Sequence, residues 1–165
     1  MNATIDDQYV TATIGGQLFG VPVLRVQELF VPERLTRVPL AAAEVAGLIN
    51  LRGRIHTVID LRRRLELGLG LAAKADENGG AQAPRRQVAL SVEHKGEAYA
   101  LLIDEVGDVM RLAAADRDPN PVNMDAALAR ASLGVHRLEG RLLVVLDVDR
   151  LLDFDLHVRA ARVAA

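Results

Sequence analysis

With 165 residues, half of them apolar, a net charge of −2 and no cysteine, the chain can bury roughly 70% of its unfolded surface without disulfides or a metal. The missing thiols exclude thiolate zinc sites, iron–sulfur clusters and cysteine nucleophiles. Basic residues number 20 against 22 acidic and aromatics make up 3% of the chain, which argues against nucleic-acid binding, where a basic excess and stacking rings are the usual means.

The opening residues Met1 to Asp7 combine no basic and apolar regions of an export signal. No apolar run reaches the length of about 18 residues that a membrane helix needs. A cytoplasmic protein that does not insert into the membrane is expected.

The first predicted element is a hairpin. Val10, Ala12 and Ile14 alternate, Gly15-Gly16 supplies a two-residue turn, and Leu18 to Val23 returns. Val26, Leu29 and Val31 predict a third strand ending at Pro32. Gly53 marks a tight turn between apolar runs, and Ile55 to Ile59 reads as a buried strand. Asp60 is placed to cap a short helical turn over Leu61–Leu65. Residues 68–84 are rich in glycine and alanine and predict a connector. A second hairpin turns at Lys95-Gly96, a buried strand spans Leu142 to Leu146, and Asp147 follows as a second cap. Leu151, Phe154, Asp155 and Val158 fall at helical spacing, predicting an amphipathic C-terminal helix.

These elements repeat. At an offset of 87, Gly47, Leu51, Gly53, Arg54, Val58, Asp60, Arg63 and Leu65 recur as Gly134, Leu138, Gly140, Arg141, Val145, Asp147, Arg150 and Leu152. Upstream, Thr11–Val23 aligns with Ser91–Ile103 at an offset of 80, so a seven-residue insertion belongs between Ala113 and Arg130. The expected architecture is mainly β: two pseudo-repeated five-stranded barrels sharing a core, with short helical turns and a C-terminal helix. As one domain over 9–165, the first barrel would occupy 9–67, the connector 68–86, the second barrel 87–148 and the helix 149–162.

Motifs for chemistry are poor. Gly68-Leu-Gly-Leu-Ala-Ala73 matches a relaxed dinucleotide fingerprint but follows no buried strand. Asp116-Arg-Asp-Pro-Asn120 starts like a calcium loop, yet Pro121 and Ala127 stand where glycine and glutamate are needed. His56, His94, His136 and His157 lack metal-ligand spacing and sit beside no recognisable nucleophile. Arg62-Arg63-Arg64, with Arg52 and Arg54 nearby, could clamp an anion, which keeps a small-ligand barrel as an alternative. No cofactor, metal or catalytic residue is expected.

Within the repeat, Asn50-Leu-Arg52 becomes Arg137-Leu-Glu139. The reversal at Arg52/Glu139 would let each barrel end select a different neighbour, since opposed charge confers specificity.

The string Gly47-Leu-Ile-Asn-Leu-Arg-Gly-Arg-Ile55, continued by Val58-Ile-Asp-Leu-Arg62 and preceded by Phe19-Gly-Val21 and Val26-Gln-Glu28, resembles the CheW family of chemotaxis coupling proteins from about Tyr9 to Asp153. Thr57 departs from the family's usual proline. The resemblance implies two five-stranded barrels around a shared core and a non-catalytic adaptor in the cytoplasm. Such an adaptor joins the tip of a methyl-accepting chemoreceptor to the regulatory domain of the histidine kinase CheA, in arrays at the inner face of the membrane. A coupler for twitching or surface sensing is the alternative within the family. By motif, Val26, Glu28, Arg52 and Ile55 fall on receptor-contact positions, and Val88 and Ala89 on the second-half strand lining the same groove. No kinase or receiver domain is expected in this chain.

Overall fold

The computed structural model describes residues 6–67 and 87–153. In chain order these form β1 (Asp6–Ile14), β2 (Gln17–Pro22), a 3-10 turn (Val23–Arg25), β3 (Val26–Phe30), β4 (Val45–Leu51), β5 (Arg54–Asp60) and α1 (Leu61–Arg64). The second half gives β6 (Val88–His94), β7 (Glu97–Ile103), β8 (Glu105–Ala113), a 3-10 turn (Ala114–Asp116), α2 (Ala126–Ala131), β9 (Ser132–Leu138) and β10 (Arg141–Leu146). Residues 148–153 are helical. The connector at 68–86 and the C-terminal helix beyond residue 153, with Phe154, His157 and Val158, lie outside the described residues.

The turns follow from local chemistry. Gly15-Gly16 and Lys95-Gly96 both have positive φ at each position, as a two-residue turn between twisted strands requires. Asp60 Oδ1 accepts from the backbone N–H groups of Arg62 and Arg63, and Asp147 Oδ1 from those of Asp149 and Arg150. Arg63 and Arg150 reach back to the same caps, with Nε 3.8 Å from Asp60 and 3.3 Å from Asp147. The repeated Asp and Arg are thus one capping device used twice.

Two five-stranded sheets result, ordered β8-β1-β2-β10-β9 and β3-β6-β7-β5-β4. Replacing each strand by its counterpart five strands along converts one order into the other, so the duplication is a spatial pseudo-twofold. The expected barrel boundaries are corrected by this topology: neither 9–67 nor 87–148 makes a barrel. The first sheet joins the β1–β2 hairpin to β8 and the β9–β10 hairpin. The second joins β3 and the β4–β5 hairpin to the β6–β7 hairpin. The chain crosses between sheets at Val23–Arg25 and again at Asp104, and the halves are stitched by parallel β2–β10 and β5–β7 and antiparallel β1–β8 and β3–β6 pairs. A sequence repeat reports which segments are equivalent, not which of them pair.

Each sheet closes on itself the same way. The segment after β3 bridges β4 at Thr36↔Leu48, and the segment after β8 bridges β9 at Asp118↔Val135. The offset is 82 at the first partners and 87 at the second, so five of the seven inserted residues fall between Asp118 and Val135, where α2 sits.

The core has three compartments. Tyr9, Leu143 and Val145 fill the first barrel, which we call A; Ile49, Val58, Ala89, Ala100 and Leu102 fill the second, B. The largest cluster lies between them, with Ile14, Phe19 and Val21 from one sheet against Leu90, Val92, Tyr99 and Leu101 from the other.

Candidate functional site

The β4–β5 hairpin turns at Arg52 (φ 55) and Gly53 (φ 84), and the Asn50 side-chain oxygen accepts from Gly53 N–H at 2.8 Å. Arg52 therefore projects from a left-handed position, with Nη2 2.8 Å from Glu28 Oε1 on β3. β3 and β4 are opposite edges of the sheet, so this ion pair spans the seam of barrel B. Arg52 is largely exposed, and such a pair contributes on the order of 0.2–1 kcal/mol. Ile55 pairs with Asn50 across the hairpin and is 60% exposed. Asn50, Arg52, Ile55 and Glu28 thus gather at one end of barrel B.

The other expected contacts divide. Val26 and Val88 are half-buried and pack against the central cluster. Ala89 is fully buried inside barrel B, in register with Phe30. As a contact residue it is corrected: strand alternation turns its side chain inward. The outward residue of the same ribbon that the motif reading missed is Leu29, 48% exposed; its repeat counterpart on β8, Val109, is 58% exposed. In the sequence their one mark is that both are apolar at matched positions of the 80-residue offset, which does not tell surface from core.

The end of barrel A is built differently. The counterparts of Glu28 and Arg52 are Asp108 and Glu139, both acidic, which cannot bridge. Its turn has positive φ at Gly140 only. Arg137 Nε instead lies 3.4 Å from Asp118. Here a cleft of about 760 Å3 opens, lined among others by Thr11, Glu105, Asp108, Arg137, Glu139 and Arg141. The pseudo-twofold therefore ends in one bridged seam and one open, mixed-charge cleft.

The arginine run does not converge on an anion. Arg62 binds Asp104, Arg63 its own cap Asp60, and Arg64 Nε the Leu151 carbonyl, while Arg52 and Arg54 hold Glu28 and Glu93. Among the described residues no group of three histidine or carboxylate side chains could hold a metal. No described helix is long and apolar enough to cross a membrane.

The three described histidines, His56, His94 and His136, are packed groups. His56 does have a nucleophile-type neighbour, contrary to the sequence expectation: its Nε2 is 3.0 Å from Ser91 Oγ. A carbonyl only accepts, so Nδ1, 3.1 Å from the Arg54 oxygen, carries a proton. Both His56 and Ser91 are buried in barrel B, where the bond satisfies two polar groups out of solvent. His136 packs on Tyr9, and burial and the Arg117 charge push its imidazole below the ordinary 6.5. His94 Nδ1 and Nε2 lie 3.0 Å from Asp149 and 2.9 Å from Asp153.

Three carboxyls sit below their usual range. Asp149 is held down by Arg25 and then His94, Asp153 by Lys95 and then His94, and Glu93 by Gln27 and then Arg54. Groups with depressed folded values stabilise above their ordinary values, 3.8 for the aspartates and 4.5 for Glu93, and lose that contribution as pH falls through the folded ones. His136 acts with the same sign from 6.5 downward. Melting temperature should therefore fall between about pH 6 and pH 3, and Asp149→Asn with Asp153→Asn should flatten the acidic limb. An unchanged slope in thermal melts would contradict the assignment.

A closed pair of interleaved barrels with two unlike surface ends, one bridged by Glu28 and Arg52 and one open, defines a docking module. The chain belongs to the CheW-like domain family, whose model matches residues 8–155. It is 27% identical over 150 residues to the chemotaxis protein CheW of Klebsiella aerogenes, covering 90% of this chain and 83% of that one. It is 28% identical over 148 residues to the CheW of Helicobacter pylori, covering 90% and 82%. The fold is similar to the crystal structure of the scaffolding protein TtCheW from Thermoanaerobacter tengcongensis, with a TM-score of 0.73 at 21% identity over 91% of this chain and 90% of that chain.

Proposed function

We propose that this protein is a non-catalytic coupler in chemotaxis signalling, binding a methyl-accepting chemoreceptor tip at one barrel end and the regulatory domain of a CheA-type kinase at others, in cytoplasmic arrays. Membership of the CheW-like family supports the class. The observation that carries the two-partner reading is the unlike treatment of equivalent ends: Glu28 and Arg52 bridge in one barrel, while Asp108 and Glu139 face a cleft in the other. Opposed charges at matched positions steer different partners to different ends.

Receptor contact is assigned to Glu28, Arg52 and Ile55, with Leu29 beside them on β3 and Val26 supporting from below. Partner choice rests on Asn50 and Arg52 against Arg137 and Glu139. The test is co-purification with a matched kinase regulatory domain and a receptor tip fragment. Glu28→Ala should weaken tip binding several-fold and Arg52→Glu about tenfold or more, because the latter places two carboxylates at the seam. The exchange R52E/E139R should redistribute binding between partners in a folded protein. Equal retention of both partners by all three variants would remove the assignment.

A further inference from the structure

The pseudo-twofold has an electrical exception. At the two places where the chain crosses between barrels, Arg62 Nη2 lies 2.6 Å from Asp104 and Arg25 Nη2 2.9 Å from Asp149. Arg62 and Asp149 are counterparts at the 87-residue offset, each in the first turn after its capping aspartate. Leu24-Arg25 and Asp104-Glu105 are counterparts at the 80-residue offset. The first half thus carries positive charge at both its crossing and its helical turn, and the second half negative charge at both. Each cation meets an anion only because unlike halves are paired.

Nothing in the backbone topology demands that. Since the two sheet orders interconvert when strands are replaced by their counterparts, two chains could satisfy every strand by pairing first half with first half and second with second. In that assembly Arg62 would meet the Leu24-Arg25 crossing twice and Asp149 would meet the Asp104-Glu105 crossing twice, like charge against like in both. We infer that the charge exchange between Arg25/Arg62 and Asp104/Asp149 selects the unlike pairing of halves and blocks association of like halves from two copies. Arg62 and Asp104 are mostly buried, where a like-charge contact costs more than at an exposed surface. Asp104 is further fixed by the Gly15 N–H at 2.8 Å.

The test is R62D/D104R in the full chain. The double variant keeps an ion pair within the molecule, reversed, makes the first-half contact attractive and leaves the second-half crossing, with Glu105 beside the new arginine, without net charge against Asp149. Refolded from denaturant over a range of protein concentrations and sized by light scattering, it should show a dimer fraction about tenfold above the unsubstituted chain. The reciprocal R25D/D149R should do the same and serves if the loss of the Gly15 contact prevents the first from folding. Ordinary domain swapping is separated by adding Gln17→Cys and Leu142→Cys, neighbours across β2–β10 in a chain with no other cysteine. Dimers that fail to close this disulfide support like-half pairing. Monomers in wild-type proportion, or dimers that close it, overturn the inference.

Discussion

Gly134→Ala should lower stability by about 3 kcal/mol, and the melting temperature by roughly 6–12 °C. Gly134 has φ +139, and a Cβ there would sit 2.6 Å from the Asp118 carbonyl oxygen. Gly47→Ala should behave alike, with φ +155 and the Thr36 oxygen at 2.6 Å. In both, the neighbour is backbone, held by the bridge that closes the barrel. Gly53→Ala is the control: φ is +84 but nothing lies within 4 Å, so about 1 kcal/mol of backbone strain is the whole cost. Denaturant titration of the three variants checks the order. A loss at Gly134 no greater than at Gly53 would mean that the closing segment yields.

Phe19→Ala should cost about 4 kcal/mol, because Phe19 is fully buried in the cluster between the barrels and touches a compartment built by both halves. It should also leave unfolding as a single transition, since neither barrel can be formed from one half of the chain. Val58→Ala, inside barrel B, should remove less, about 2 kcal/mol. Two resolved transitions in either variant, followed by fluorescence of a reporter placed in each barrel, would show that the barrels unfold independently.

The repeat made the strands, the hairpin turns and the two capping aspartates legible before any coordinates, since each depends on residues close in sequence. The pairing between halves was not legible, because β2 and β10 meet through apolar side chains that any central strand could supply. The site was half legible. Glu28 and Arg52 are charges that packing does not explain, and they proved to be each other's partners. Ala89 misled because alternation in a run such as Val88-Ala89-Leu90 has no polar member to mark the outward face. The exposure of Leu29 was missed for the converse reason: an apolar residue on a strand looks like core until the curvature of the barrel is known.

The parallel pairing of β2 with β10 has a consequence for synthesis. Gln17 bonds Leu142 across 125 residues, so the edge of an early strand has no neighbour until the last strand is made. At about 5–20 residues per second, that leaves the edge open for roughly 6–25 s on the ribosome. During this interval the nascent chain displays an unpaired β-ribbon able to capture another copy.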